Sequence, residues 1–264
     1  ACAMVGAKLL IPVVHLEAGL RSRDRRMPEE INRLVTDAIA DVLWTPSPDA
    51  DENLRAEGVA ADKIDYVGNM MIDSYEMLRP RVEAAGTREK LGLERGRFAV
   101  VTLHRPSNVD DKAVLGWLMT QLVTVAASLP LVFAVHPRTR KRLEEFGLLG
   151  MLSDCSNIRL TEPLGYIEFM NLVSQSAAAI TDSGGVQEET TYLGIPCLTL
   201  RENTERPVTV TEGSNRLVKP ENLVDAVQEV LQGRWPRGQR PRNWDGNTAT
   251  RAVAMLKRRL SATG

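Results

Sequence analysis

Short apolar, β-branched runs alternate with longer amphipathic stretches along almost the whole chain, and no other feature constrains the fold as much. Strands are expected at residues 11–16, 41–47, 64–69, 98–104, 131–137, 157–160, 178–183 and 195–200. Helical patterns fall between them, near 28–40, 48–57, 70–85, 110–128, 137–147, 165–176, 185–194 and 220–231. A chain that alternates in this way builds parallel sheets with helices on both faces. The strands are nearly continuous in apolar side chains, which fits burial on both sides. They form two groups, three strands and then five, separated by a charged, helical stretch over 70–97. The expected organisation is a partial α/β domain over 1–75 and a doubly wound domain over 76–240. A helix within 241–264 is expected to pack back on the first domain. Residues 233–247, rich in Pro, Gly and Arg, read as a surface linker.

Length and composition narrow the classes of function. A chain of 264 residues accommodates one large or two smaller domains. Its net charge is −1 with both signs interspersed, which argues against a nucleic-acid face, although the C-terminal region is locally basic. No apolar run is long enough to span a membrane, and no charged-then-apolar leader is read. Cys2, Cys155 and Cys197 are odd in number and far apart, so they fit small buried hydrophobes in a reducing cytoplasm better than disulfides or a zinc site. His15, His104 and His136 lack metal-ligand spacing, and no transition metal is expected. The sequence opens without methionine on what reads as a helix running into a buried strand, so an upstream portion is expected to be missing.

In open parallel sheets, ligands bind beyond the carboxyl ends of the strands. The residues that follow the expected strands are therefore the place to look for chemistry. They include Glu17, His104 with Arg105, His136, Asp182 through Gly185, and Arg201 through Arg206. Ser183-Gly184-Gly185 fits a phosphate-binding helix start, and equally a tight turn with Ser183 as the N-cap. Glu188 and Glu189 fit first-turn partners of the helix dipole, while a carboxylate there also suits a ribose diol. Arg206 suits either a diphosphate clasp or a loop ion pair with Glu202 or Glu205. Glu29 and Glu30 follow Pro28 at a helix start, where acids complement the dipole. Glu17 needs partners at a strand terminus, and Arg21, Arg23, Arg25, Arg26 and Arg33 are near it in sequence. His104 is open between a structural and a catalytic role. For His136, followed by proline, a rigid turn is the simpler reading.

Taken together, "HLEAGLRS", "MPEEINR", "HRPSN", "TDSGGVQEE" and "RENTERP" stand in the order and spacing of the non-hydrolysing UDP-N-acetylglucosamine 2-epimerases. Each motif is weak alone, but five in order are specific, and the resemblance covers essentially the whole chain. It implies an α/β fold of two Rossmann-like domains in the B-type glycosyltransferase architecture, the N-terminal one truncated. It implies a cytoplasmic isomerase and homodimer that uses neither metal nor organic cofactor and feeds surface polysaccharide synthesis. By the same resemblance, Ser183, Gly184 and Gly185 hold a diphosphate clasped by Arg206, and Glu189 takes the ribose. Backbone at Leu164 and the ring of Phe169 seat the uracil. Glu17 and Glu29 match catalytic carboxylates, and His104 matches a group near the leaving diphosphate. His136 resembles part of a regulatory substrate site.

The implied reaction interconverts UDP-N-acetylglucosamine and UDP-N-acetylmannosamine. UDP leaves by anti elimination to give 2-acetamidoglucal, then adds back with the proton delivered to the other face. Two carboxylates in different environments suit that acid–base work. The N-terminal β/α units of the family, including one with a catalytic aspartate, are not in this sequence. Residues 1–75 are therefore expected to be poorly stable alone or to lean on another chain. Two other readings remain open: a UDP-sugar-binding fragment without turnover, and a glycosyltransferase of the same architecture.

Overall fold

The structure, a computed structural model, describes residues 1–262. The chain divides into two compact units, one made of residues 1–77, 203–211 and 240–264, the other of 78–202 and 212–239. Residues 203–211, counted with the second domain from the sequence, group with the first unit. Helix Met70–Ala84 carries the chain across the boundary near residue 77.

The first unit holds a three-stranded parallel sheet, β1 (Val14–Leu16), β2 (Val42–Thr45) and β3 (Ile64–Tyr66), in the order β1-β2-β3. Helices Pro28–Ile39 and Pro48–Ala56 connect the strands, each with proline in its first turn, where the missing N–H costs nothing. Strand β1 is at the sheet edge and none of its residues is fully buried, so the buried first strand expected from the sequence is corrected. Helix Cys2–Lys8 likewise buries no residue. One apolar cluster here is built from Ala18, Ala40, Leu43, Leu54 and Ile64, and Leu20, Ala50, Val67, Ile72, Tyr75 and Trp244 of the same unit are buried as well.

Polar straps supplement that core. Arg21 is buried and reaches Glu57 through two nitrogens, at 2.8 and 2.6 Å. Its third nitrogen meets Asp37 at 2.6 Å, and Asp37 also holds the Gly19 N–H and the His15 ring. Gly19 has φ +80°, and a Cβ there would come within 2.4 Å of the Ala50 carbonyl oxygen, which explains the glycine of "HLEAGLR". Helix Thr248–Ala262 joins this unit. Asp73 accepts from the backbone N–H groups of Thr248 and Ala249 at the helix start, and Arg259 pairs with Asp65 of β3 at 2.9 Å.

The second unit is a six-stranded parallel sheet of β4 (Ala99–Thr102), β5 (Leu131–Ala134), β6 (Ile158–Thr161), β7 (Ala178–Thr181), β8 (Cys197–Thr199) and β9 (Asn215–Leu217). Five strands were expected, and β9 is the addition. Asn-Arg-Leu at a sheet edge carries no apolar run to announce it. The order β6-β5-β4-β7-β8-β9 is that of a Rossmann-like sheet, with its topological switch between β4 and β7. Its core is continuous, with Phe98, Leu103, Leu115, Leu118, Met119, Leu122, Leu131 and Phe133 shut off from solvent.

Two further expectations need correction. The Pro- and Arg-rich stretch is anchored as well as exposed. Trp235 is buried and donates to the Ser214 carbonyl within the second unit, and Trp244 is buried and donates to the Pro46 carbonyl within the first. Of the cysteines only Cys197 is buried, while Cys155 is half-buried and Cys2 exposed.

Candidate active site

The switch point of the second sheet brings the end of β4 beside the end of β7, so His104-Arg105 and Asp182-Ser183 become neighbours although they are more than 70 residues apart in the chain. Asp182 has no solvent exposure. Its carboxylate accepts from the backbone N–H of His104 at 3.0 Å, that of Arg105 at 2.9 Å and the Asn108 side-chain amide at 3.0 Å. His104 Nδ1 lies 2.9 Å away as well. Burial alone would raise the Asp182 pKa. The His104 hydrogen bond and charge, with the Arg105 and Asn108 donors, outweigh it and hold the carboxyl below its usual range.

Ser183 is the N-cap of helix Gly184–Leu193, but its hydroxyl makes no cap bond, so it leaves the first N–H groups of that helix to other acceptors. Neither Gly184 nor Gly185 has positive φ, so their use is in the missing side chain, which lets a ligand approach the backbone. Gln187, fully buried, donates back to the Ser183 carbonyl at 3.1 Å and accepts from the Asn215 amide of β9 at 3.1 Å. Asn215 in turn accepts from Thr199 of β8 at 2.6 Å. A buried amide chain thus runs from the sheet edge to the turn.

Glu189 is one turn into the helix and 4% exposed, with one carboxylate oxygen unbonded among the described residues. Burial pushes its pKa up to about 7, helped by the neighbouring Glu188 charge and opposed by a hydrogen bond from Tyr166. Glu188, expected as a first-turn dipole partner, is not one. The first turn of this helix carries no acid, and Glu188 is almost fully buried at its fifth residue.

A cavity of about 310 Å³ opens at the same strand ends. His104, His136, Leu164, Phe169 and Ser183 all line it, so five residues singled out in the sequence share one wall set. The rings of His104 and His136 are 5.5 Å apart. His136 caps helix Pro137–Glu145 by accepting from the Arg138 N–H at 3.2 Å. Lost hydration lowers the His136 pKa, and the His104 and Arg138 charges lower it further against Asp182.

The remaining residues belong to the first unit. Glu17 has φ +66° and stands outside the ion pairs of Arg21, Arg26 and Arg33, which go instead to Asp37 and Glu57, to Asp24 and to Glu30. With Arg23 bonded to Asn53, four of the five arginines expected around Glu17 are engaged elsewhere. Of the pair after Pro28, Glu30 is buried and holds the loop through the N–H groups of Ser22 and Arg23, while Glu29 is exposed. Arg206 is half-buried and pairs with buried Glu205 at 2.7 Å. Sequence reasoning named Asp182 as a strand-end residue without a task and passed over Asp37 and Gln187. Their partners are distant in the chain, and the only local sign was a polar residue in an apolar setting. Among the described residues no group of three His, Cys, Asp or Glu side chains is placed to hold a metal ion.

The two parallel sheets and the switch-point site define an α/β protein with Rossmann-like units of the B-type glycosyltransferase class. The profile of the UDP-N-acetylglucosamine 2-epimerase family matches residues 1–257. The chain belongs to that family. It is 40% identical over 240 residues to a UDP-N-acetylglucosamine 2-epimerase of Methanococcus maripaludis, covering 87% of this chain and 65% of the relative. It is 40% identical over 220 residues to a UDP-2,3-diacetamido-2,3-dideoxy-D-glucuronate 2-epimerase of Pseudomonas aeruginosa, covering 82% of this chain and 59% of the relative. The crystal structure of Methanocaldococcus jannaschii UDP-GlcNAc 2-epimerase in complex with UDP-GlcNAc and UDP superposes with a TM-score of 0.87 at 41% identity, over 97% of this chain and 71% of that one. The chain thus spans about two thirds of the length of these relatives. Among the described residues no helix is long and apolar enough to cross a membrane.

Proposed function

We propose that this chain acts in the reversible epimerisation of UDP-N-acetylglucosamine to UDP-N-acetylmannosamine at carbon 2, by UDP elimination and re-addition. The observation that carries the reading is the β4–β7 switch point. It pairs a helix start that Ser183 leaves uncapped with a buried carboxylate one turn in and a histidine at the neighbouring strand end. A helix N-terminus favours a diphosphate, and Glu189 suits the two hydroxyls of a ribose. Leu164 and Phe169 offer the apolar wall a uracil needs. In this reading Ser183, Gly184, Gly185 and Arg206 hold the diphosphate, and His104 meets the charge that grows on the leaving oxygen. A carboxylate takes the carbon 2 proton as the bond from carbon 1 to UDP breaks. A second returns a proton to the opposite face when UDP adds back, and Glu17 and Glu29 are assigned these tasks. His136 lines the cavity and is assigned to part of a second, regulatory substrate site.

Incubation with UDP-N-acetylglucosamine in deuterated water is expected to place deuterium at carbon 2, and Glu17→Gln is expected to abolish it. UDP bound without any exchange would leave a nucleotide-binding role in its place, and sugar transfer to an acceptor would revive the glycosyltransferase reading. The Pseudomonas relative favours one alternative substrate. Faster exchange on UDP-2,3-diacetamido-2,3-dideoxy-D-glucuronate would move the assignment to that sugar. A homodimer and a cytoplasmic setting belong to the same proposal, as does the domain division 1–75, 76–240 and 241–264, apart from residues 203–211, which group with the first unit. Sedimentation checks the dimer.

A further inference from the structure

The Asp182 carboxylate is surrounded by donors from one short segment, residues 104–108. Three of these fix the backbone and the Asn108 amide, which accounts for a structural role. The fourth, His104 Nδ1 at 2.9 Å, concerns a side chain on the cavity wall. An ionised carboxylate only accepts hydrogen bonds, so the ring nitrogen facing it must carry hydrogen. The hydrogen bonds around Asp182 keep it ionised through the neutral range. The other ring nitrogen, Nε2, is then the atom left for a ligand.

We propose that Asp182 is a positioning residue for the reaction: it holds the His104 ring by its Nδ1–H, so that Nε2 is aimed at the leaving diphosphate and, in the protonated ring, donates to it. The proposal rests on the assignment of His104 to the leaving group. Without the lock, a neutral histidine divides between two tautomers and the ring is free to turn. A share of the molecules would then aim a carbon edge, and not the Nε2–H donor of the protonated ring, at the developing negative charge. Such a loss falls on the transition state and leaves UDP binding nearly intact.

His136 provides a contrast within the same cavity. Its Nδ1 accepts from the Arg138 N–H, so its neutral form carries hydrogen on Nε2. His15 resembles His104, since its Nδ1 faces Asp37 at 2.5 Å. The chain contains three histidines, so nitrogen-15 spectra of histidine-labelled protein at pH 8 are few enough in signals to assign with His104→Gln and His136→Gln. The wild-type chain is expected to show hydrogen on Nδ1 at His104 and on Nε2 at His136. Asp182→Asn places an amide donor opposite the ring and is expected to move His104 to the Nε2 form while His15 stays unchanged. Carbon 2 exchange should fall by about a hundredfold or more, with the UDP dissociation constant within about threefold.

A wild-type His104 with hydrogen on Nε2 overturns the proposal, and this measurement needs no variant to fold. So does an Asp182→Asn chain that folds, shifts the tautomer and keeps its exchange rate. If His104→Gln leaves exchange intact, the assignment of His104 to the leaving group fails instead, whatever the tautomer shows.

Discussion

The two sheets are held in different ways. The six-stranded unit buries a continuous set of large apolar side chains, from Phe98 through Phe133. The three-stranded unit buries fewer, among them Leu43, Leu54, Ile72 and Tyr75, and leaves Met4, Val5, Leu9, Leu10, Ile11, Leu16, Ile31 and Val35 exposed. It adds charged straps, Arg21 to Asp37 and Glu57 and Arg259 to Asp65. Apolar burial is additive and forgiving of small changes, whereas a buried ion pair fails when either partner is lost. The contrast predicts where each unit breaks.

The largest effect should come from the straps. Arg21→Ala leaves Asp37 buried without its main counter-charge and should cost about 3–5 kcal/mol, confined to the first unit. Hydrogen exchange should then quicken in β1 and β2 while helix Lys112–Ala126 keeps its protection. Equal loss in both units would erase the comparison. Leu118→Ala should cost about 2–5 kcal/mol and act the other way, loosening the second unit first.

Glu189 sharpens the comparison through pH. Its folded pKa of about 7 is above the ordinary 4.5, so the folded chain holds a proton that the unfolded chain has released between those values. The stability this proton contributes is present below pH 4.5 and is lost as pH rises through 7. Glu189→Gln should therefore flatten the pH dependence of melting between pH 5 and 8, at up to about 3 kcal/mol. UDP affinity should rise with pH over 6–8, by at most about tenfold per unit, if ribose hydroxyls meet the ionised form. Calorimetry in buffers of different ionisation heat checks the proton released. The smallest effect is expected from Gln187→Ala, which leaves the Asn215 amide short of an acceptor at a cost of about 1–3 kcal/mol and slackens the Ser183 turn. A UDP affinity unchanged by this variant would show that the turn is stiff without the amide chain.

Much of the larger unit is legible in the amino-acid sequence itself. Strands β4, β5 and β7 are written in Val, Ile, Leu, Phe and Ala with one closing Thr in β4 and in β7, and the strand-end rule leads directly to His104 and Ser183. Strand β9 is not legible, because three residues with two polar side chains show no period. Helices Thr87–Lys90, Leu149–Ser153 and Val208–Thr211 are about one turn long and have too few residues to declare a face. Glu188 and Glu189 are adjacent in sequence and chemically identical, so only the helix start at Gly184 shows that neither is in the first turn. Asp182 is visible as a letter, but its donors are 74–78 residues away and pair with it only once β4 and β7 are neighbours.

The first unit is assembled from three separate stretches, the last of them 240–264, whereas the second needs nothing beyond residue 239. On the ribosome, the larger sheet therefore has all its parts before the smaller one receives Arg251 and Arg259. Until then Asp65 of β3 and the Val67 carbonyl wait for partners still to be translated. The three-stranded group is thus translated before the larger sheet and completed after it, which leaves its charged partners open while the larger sheet folds.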